Sequence, residues 1–270
     1  MLNNISFPEL GINLTVSRAA FSIGGMDLYW YGIIIAAGML IALGYVFREA
    51  SRSGIKQDDV LNMFLISVPV AIVCARLYYV VFSFEQYRGD LLSVFDIRSG
   101  GIAIYGGIIG AGLVVFTYCR RKKLNLGAVL DIMAVGFLIG QAIGRWGNFI
   151  NGEAYGAVTS MPWGMTIVSD GVLRAESVHP TFLYESLWNL IGLGLLLIYK
   201  RHKTFNGEVF CAYISWYGLG RFWIEWLRAD SLYLGPLKIS QMIALVSIAL
   251  GIAGIIYGRY KNKKIKTIGG

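Results

Sequence analysis

Residues 144–156 read Gly-Arg-Trp-Gly-Asn-Phe-Ile-Asn-Gly-Glu-Ala-Tyr-Gly, directly after a strongly apolar segment. Arg145, Asn148, Asn151, Glu153 and Tyr155 are thus gathered in one short stretch. An arginine inside a bilayer costs about 2.5–3.5 kcal/mol on insertion scales, so Arg145 at the hydrocarbon edge calls for a partner or a task. The interleaved glycines let backbone and ligand approach closely. Such a cluster fits an anionic ligand at a membrane face.

A second constellation is Tyr217, Arg221, Glu225 and Arg228. The spacing i, i+4, i+8, i+11 makes one stripe on a helix. Glu225 lies between two arginines and can pair with both. The stripe is either a salt-bridge ladder that locks a helix bundle or a polar wall facing a cavity. One carboxylate does not neutralise two arginines, so positive charge is left over. A guanidinium fork matches phosphate oxygens bidentately.

Three further positions carry candidate chemistry. His179-Pro180 opens an apolar segment that contains Tyr184-Glu185. Proline at a helix start is ordinary punctuation. His179 either caps and solvates that start or belongs to the site, while Glu185 needs a partner, for which Arg145 is suited. Tyr105, between Gly100-Gly101 and Gly106-Gly107, is a hydrogen-bond donor or proton acceptor for a site, or an aromatic-belt residue. Tyr31, in Tyr29-Trp30-Tyr31-Gly32, has the same two readings, with the belt favoured. Arg76, deeper in an apolar run, is expected to neutralise an internal carboxylate. No Ser-His-Asp set, P-loop or paired-Asp site is present, so in an enzyme the nucleophile comes from a substrate.

The elements that position these residues follow from composition. Of 270 residues, 56% are hydrophobic and 15% charged, against about 25% charged in soluble domains. The class is an all-α polytopic membrane protein. About 20 apolar residues cross a bilayer as a helix, and seven candidates occur: 28–47, 60–83, 102–119, 128–144, 181–199, 208–228 and 237–258. Glycines four apart, such as Gly136, Gly140 and Gly144, let such helices pack backbone to backbone. No basic region followed by an apolar core precedes Arg18, so no signal peptide is expected, and residues 1–27 are read as a short interfacial arm. Cys74, Cys119 and Cys211 show no metal spacing and read as small buried hydrophobes. With two histidines in the chain, no metal and no cofactor are expected.

Alternate loops then set orientation. Arg48, Arg52, Lys56, the run Arg120, Arg121, Lys122, Lys123, then Lys200, Arg201, Lys203 and Arg259, Lys261, Lys263, Lys264, Lys266 put fifteen basic residues on one side. Arg18, Arg88, Arg98, Arg145, Arg174, Arg228 and Lys238 put seven on the other. Basic loops stay cytoplasmic. The N-terminus is therefore outside and the C-terminus cytoplasmic, and the net charge of +8 is explained without nucleic acid. Residues 145–180 form the longest outside connection, a small extracytoplasmic cap between spans four and five. No linker divides the chain, which reads as one integral membrane domain over 1–270.

The stretch 144–153 resembles the signature of the bacterial prolipoprotein diacylglyceryl transferases. Trp30-Tyr31-Gly32, Ala75-Arg76-Leu77, the Gly100 to Gly107 turn, His179-Pro180 to Tyr184-Glu185, and Tyr217-Gly218 to Arg221, Glu225 and Arg228 agree in order. The resemblance covers nearly the whole chain. It implies transfer of the diacylglyceryl group of phosphatidylglycerol to the thiol of the lipobox cysteine of a preprolipoprotein signal peptide, in the bacterial cytoplasmic membrane. It implies that Arg145 binds the lipid phosphate with help from Arg221, and that Asn148, Asn151, Glu153 and Tyr31 line the pocket. Glu225, Arg228 and His179 join the substrate-binding set from the constellations above. Position 105 departs from a common form of the pattern, which has histidine there, so an imidazole base at that turn is in doubt. The competing reading is a small transporter or channel for an anionic metabolite, with Arg145 and Arg221 setting selectivity. Against it, the polar groups gather near one face, and no inverted repeat is seen.

Overall fold

The computed structural model describes residues 2–96, 100–228, 233–234 and 237–268. Arg98 of the Gly-Gly turn lies outside them. Seven α-helices stand where the seven apolar segments were read: α1 (Trp30–Arg52), α2 (Gln57–Phe82), α3 (Ile104–Lys122), α4 (Leu126–Asn151), α5 (Thr181–Tyr199), α6 (Glu208–Leu227) and α7 (Ile239–Ile268). Five of them, α1, α2, α4, α5 with its short continuation to His202, and α7, are long and apolar enough to cross a membrane. α3 is rich in glycine and ends on Arg120, Arg121 and Lys122, while α6 carries Glu208, Arg221 and Glu225. The protein is a helical, polytopic membrane protein.

The chain forms two compact units, Phe47–Val129 and the remainder. In the smaller unit α2 packs along α3. A Cβ on Gly106 would run into the Cys74 carbonyl, and one on Gly110 would sit 2.7 Å from the Cys74 side chain. Glycine here is what lets two backbones touch. The basic run at 120–123 also finishes α3. Lys123 takes a left-handed conformation (φ 54°) and its N–H reaches the Arg120 and Cys119 carbonyls, while the preceding cations face the negative end of the helix dipole.

In the larger unit a core of Val135, Leu138, Leu196, Val209 and Tyr213 joins α4, α5 and α6. Here the all-α expectation needs an addition. β1 (Leu2–Phe7), β2 (Ile12–Ser17), β5 (Met165–Ser169) and β6 (Val172–Val178) form an antiparallel sheet in the order β2-β1-β5-β6. β3 (Ala19–Ile23) and β4 (Met26–Tyr29) form a separate hairpin, and two short strands, β7 (Tyr233–Leu234) and β8 (Leu237–Lys238), pair before α7. The physical reason is period two. Asn3 and Ile5 of β1 are buried while Leu2 and Asn4 are exposed, and Met165, Ile167 and Ser169 of β5 are buried in alternation. Ile5, Met165, Ile167, Ala175, Val178 and Phe182 close a second core, with Phe149 of α4 against it. The N-terminal arm thus supplies a central strand, β1, and an edge strand, β2, of that sheet.

Candidate functional site

The signature stretch is helical further than its polarity suggests. The sequence reading ends span four at 144; α4 runs to Asn151. Gly152 then adopts φ +65°, its N–H bonds the Phe149 carbonyl at 3.0 Å, and the Glu153 N–H bonds the Asn148 carbonyl at 3.1 Å. This pair of bonds about a left-handed glycine is the Schellman stop. Asn3, fully buried in β1, adds a third cap: its Nδ2 donates to the Ile150 carbonyl at 2.7 Å while its Oδ1 accepts from Ser169 Oγ at 2.6 Å. Arg145, Asn148 and Asn151 therefore stand on a fixed helix end. Past it, Glu153 Oε1 accepts from Asn148 Nδ2 at 3.0 Å and Asn151 Nδ2 at 3.3 Å. Tyr31 at the start of α1 lays its ring over Gly147, where a Cβ would come within 2.9 Å of it.

Glu185, on the first turns of α5, is the hub of the charged groups. Its Oε2 pairs with Arg145 Nη2; its Oε1 lies 3.8 Å from Arg221 Nη1 and 3.6 Å from Arg228 Nη1. Glu225 Oε2 is 2.7 Å from Arg221 Nη2, one turn back on α6. The expected pairing of Arg145 with Glu185 is present, and Arg228 joins Glu185. Both carboxylate side chains are buried, at 9% and 2% exposure, while Arg145 and Arg221 keep 25% and 23%. Among the described residues three guanidiniums meet two carboxylates, and two of the forks, those of Arg145 and Arg221, stay partly open. Arg221 also donates to Ser240 Oγ at 3.4 Å, and Lys238 Nζ caps the end of α6 through the Glu225 carbonyl at 2.7 Å. Gly156 packs tightly where it bridges to Arg228: a Cβ there would sit 2.6 Å from the Leu227 carbonyl and 2.7 Å from His179. Tyr217, the first residue of the stripe, sits by Tyr213, with ring centroids 6.2 Å apart.

His179 faces Tyr184. Trp163 Nε1 can only donate, so the Tyr184 hydroxyl accepts it at 2.6 Å, and that hydroxyl also shares a hydrogen bond with His179 Nδ1, 3.1 Å away. Burial pushes the His179 pKa below the ordinary value, which favours the neutral imidazole.

A cavity of about 630 Å³ lies in the larger unit. Tyr31, Asn151 and Glu153 line it, joined by Arg18, Asp27, Tyr29, Tyr155 and Arg174. The sequence reading treated Arg18 and Arg174 only as topology charges, and both line the cavity. The alternation in β1 and β5 was the available signal that strands bring such distant positions together.

Tyr105 belongs to the smaller unit, on the first turn of α3, with 38% of its surface exposed. Arg76 shapes the approach to it. Its guanidinium donates to the carbonyls of Ser93 and Val94 at 2.7 and 2.8 Å, and of Gly100 and Gly101 at 2.7 and 2.9 Å. The expectation of an internal carboxylate partner is thereby corrected. Five N–H donors in a rigid fork can satisfy several loop carbonyls at once, which a carboxylate partner would have pre-empted.

The chain matches the family model described as prolipoprotein diacylglyceryl transferase over residues 18–257. It is 46% identical over 248 residues to the phosphatidylglycerol–prolipoprotein diacylglyceryl transferase of Clostridioides difficile (strain 630), covering 92% of this chain and 98% of that one. It is 47% identical over 254 residues to the protein of that name from Finegoldia magna, covering 93% and 99%. Against the Ligilactobacillus salivarius protein of that name it is 40% identical over 259 residues, covering 93% and 96%. With the match spanning the signature on α4, the hub on α5 and the stripe on α6, the chain belongs to the prolipoprotein diacylglyceryl transferase family.

Proposed function

We propose that this chain transfers the diacylglyceryl group of phosphatidylglycerol to the thiol of the lipobox cysteine of a prolipoprotein, releasing glycerol 1-phosphate. The names of its relatives state the two substrates. The observation that carries the residue roles is the cluster of three arginines around Glu185 and Glu225. The carbon–oxygen bond between the diacylglyceryl carbon and the phosphate breaks as the carbon–sulfur bond forms. The bonding electrons leave with the phosphate oxygen, and the thiol proton goes to a nearby acceptor. A thiol of pKa ~8.5 needs only modest help to react as a thiolate. The charge that grows on the leaving phosphate needs preorganised cations, a term worth roughly 2–4 kcal/mol per contact in a low-dielectric site.

Arg145 and Arg221 take the phosphate, and Arg228 holds the far side of Glu185. Asn148, Asn151, Glu153 and Tyr31 line the pocket. Tyr105 serves as a hydrogen-bonding group toward the thiol, since a phenol of pKa ~10 is a weak base at neutral pH. His179 orders the entry to α5 beside the site. The seven helices span the bacterial cytoplasmic membrane with the N-terminus outside, residues 145–180 as an outer cap and the C-terminus in the cytoplasm, by the division of basic residues. The test is incubation of purified protein with head-group- and acyl-labelled phosphatidylglycerol and a lipobox peptide. Acyl label on the peptide with release of the labelled head group supports the transferase. Solute flux in vesicles without lipidated peptide would support a transporter.

A further inference from the structure

The cavity differs from the arginine cluster in charge and in backbone. Its wall carries Arg18 and Arg174 against Asp27 and Glu153, two cations to two anions. It has no positive excess to draw a second phosphate. One side of it is β4, from which Asp27, Leu28 and Tyr29 all line the space. Side chains of a strand alternate between faces, so three successive residues on one wall mean that the strand runs along the cavity by its edge.

That edge is open. β4 pairs with β3 alone among the described residues. Gly24 and Gly25, with φ of 58° and 82°, form the two-residue turn that closes on the Ile23–Met26 pair. Left-handed conformations at both turn positions are the tight hairpin geometry. From that closing pair the antiparallel alternation directs the Asp27 amide and carbonyl away from β3. The lining also includes Asn151, the last residue of the helix that carries Arg145, and Glu153 just past it. Six residues of α-helix place Arg145 about 9 Å from Asn151 along the axis.

We propose that β4 is the docking strand for the acceptor substrate: an extended segment of the prolipoprotein beside its cysteine adds to the open edge of β4 and lies in this cavity. The proposal rests on the transferase reading above. Main-chain pairing gives affinity without demanding a particular sequence, and the Tyr29, Tyr31 and Tyr155 rings supply shallow side-chain contacts. One enzyme can then serve many acceptors that share little beyond the reacting cysteine. The neutral strand goes to the charge-balanced cavity and the phosphate to the cluster with cations in excess.

The experiment uses the wild-type protein and a series of lipobox peptides, each N-methylated at one backbone amide. Strand addition predicts a period-two pattern. Methyl groups on alternate amides raise the peptide KM about fivefold or more, the loss of one hydrogen bond, with the KM for phosphatidylglycerol unchanged. In parallel, a photo-crosslinking residue at Leu28 of β4 captures the peptide, while one at Leu14 of β2, another edge strand, does not. A uniform or absent effect of methylation, or equal capture at Leu14, overturns the docking strand while leaving the transferase intact. Failure of the unmodified peptide to be lipidated overturns both.

Discussion

Helix α6 has a buried charged cluster near each end, and the two are built differently. Near its start, Glu208 is fully buried and accepts from Tyr199 Oη at 2.8 Å, Arg259 Nε at 2.7 Å, and the Thr204 N–H and hydroxyl. Asp131 of α4 accepts from Lys203 Nζ and the Gly207 N–H at 3.0 Å each and from the Phe210 N–H at 2.9 Å. Two carboxylates meet two cations, and backbone and hydroxyl donors take the remaining lone pairs. Near its end, Glu185 and Glu225 are held by guanidiniums of Arg145, Arg221 and Arg228, and cations outnumber anions among the described residues. Burial and ion pairing alone do not mark a site. A balanced cluster saturated by neutral donors stabilises a helix start, because every lone pair that folding desolvates is satisfied. A cluster with charge left over and partly open forks has capacity for a ligand.

This contrast predicts opposite mutational phenotypes. The largest effect on stability is expected from Asp131→Ala. It strips three donors of their acceptor at the start of α6 and should cost about 3 kcal/mol or more, read as a lower thermal midpoint in detergent. Transfer per folded molecule should stay close to wild type. A variant with normal melting but lost transfer would erase the distinction between the two clusters. Tyr105→Phe tests a residue outside both. Transfer should fall about tenfold or more if its hydroxyl assists the thiol, with the melting curve unchanged; near-normal transfer would assign Tyr105 to packing. The smallest effect concerns His179. Burial lowers its pKa, so the unfolded chain takes up the proton first as pH falls through the range near and below 6.5. Stability should therefore decline on acidification in that window and be flat above it. His179→Gln should remove that part of the decline, and an unchanged pH profile would remove the neutral imidazole from the account.

The helices were legible because a bilayer demands long apolar runs, and seven such runs are in the sequence. The end of α4 was not. Arg145, Asn148 and Asn151 read as a polar loop, although Trp146, Phe149 and Ile150 continue the apolar pattern and Gly152 supplies the stop. The sheet was hidden for a different reason: β1 pairs with β5, as in Asn3 with Ser169, and short alternating segments do not name partners that far away. Arg145 with Glu185 could be foreseen, since an arginine at that level needs a carboxylate. That Glu185 also faces Arg221 and Arg228 depends on how α4, α5 and α6 pack, and one sequence carries no such distances. Arg76 shows the converse error, where a buried cation was given a carboxylate by default and the fold gave it four loop carbonyls.

The central claim is that the excess charge of the Arg145, Arg221 and Arg228 cluster holds the leaving phosphate, and Arg145→Lys tests it most directly. Lysine keeps the charge and can still pair with Glu185, but it loses the planar fork. The measurement is transfer of labelled diacylglyceryl from phosphatidylglycerol to a lipobox peptide by protein that remains monodisperse in detergent. Loss of a contact that strengthens as the phosphate departs should lower the rate about thirty- to a thousandfold. Near-wild-type transfer by a folded Arg145→Lys protein would contradict the claim and leave Arg145 as no more than the partner of Glu185.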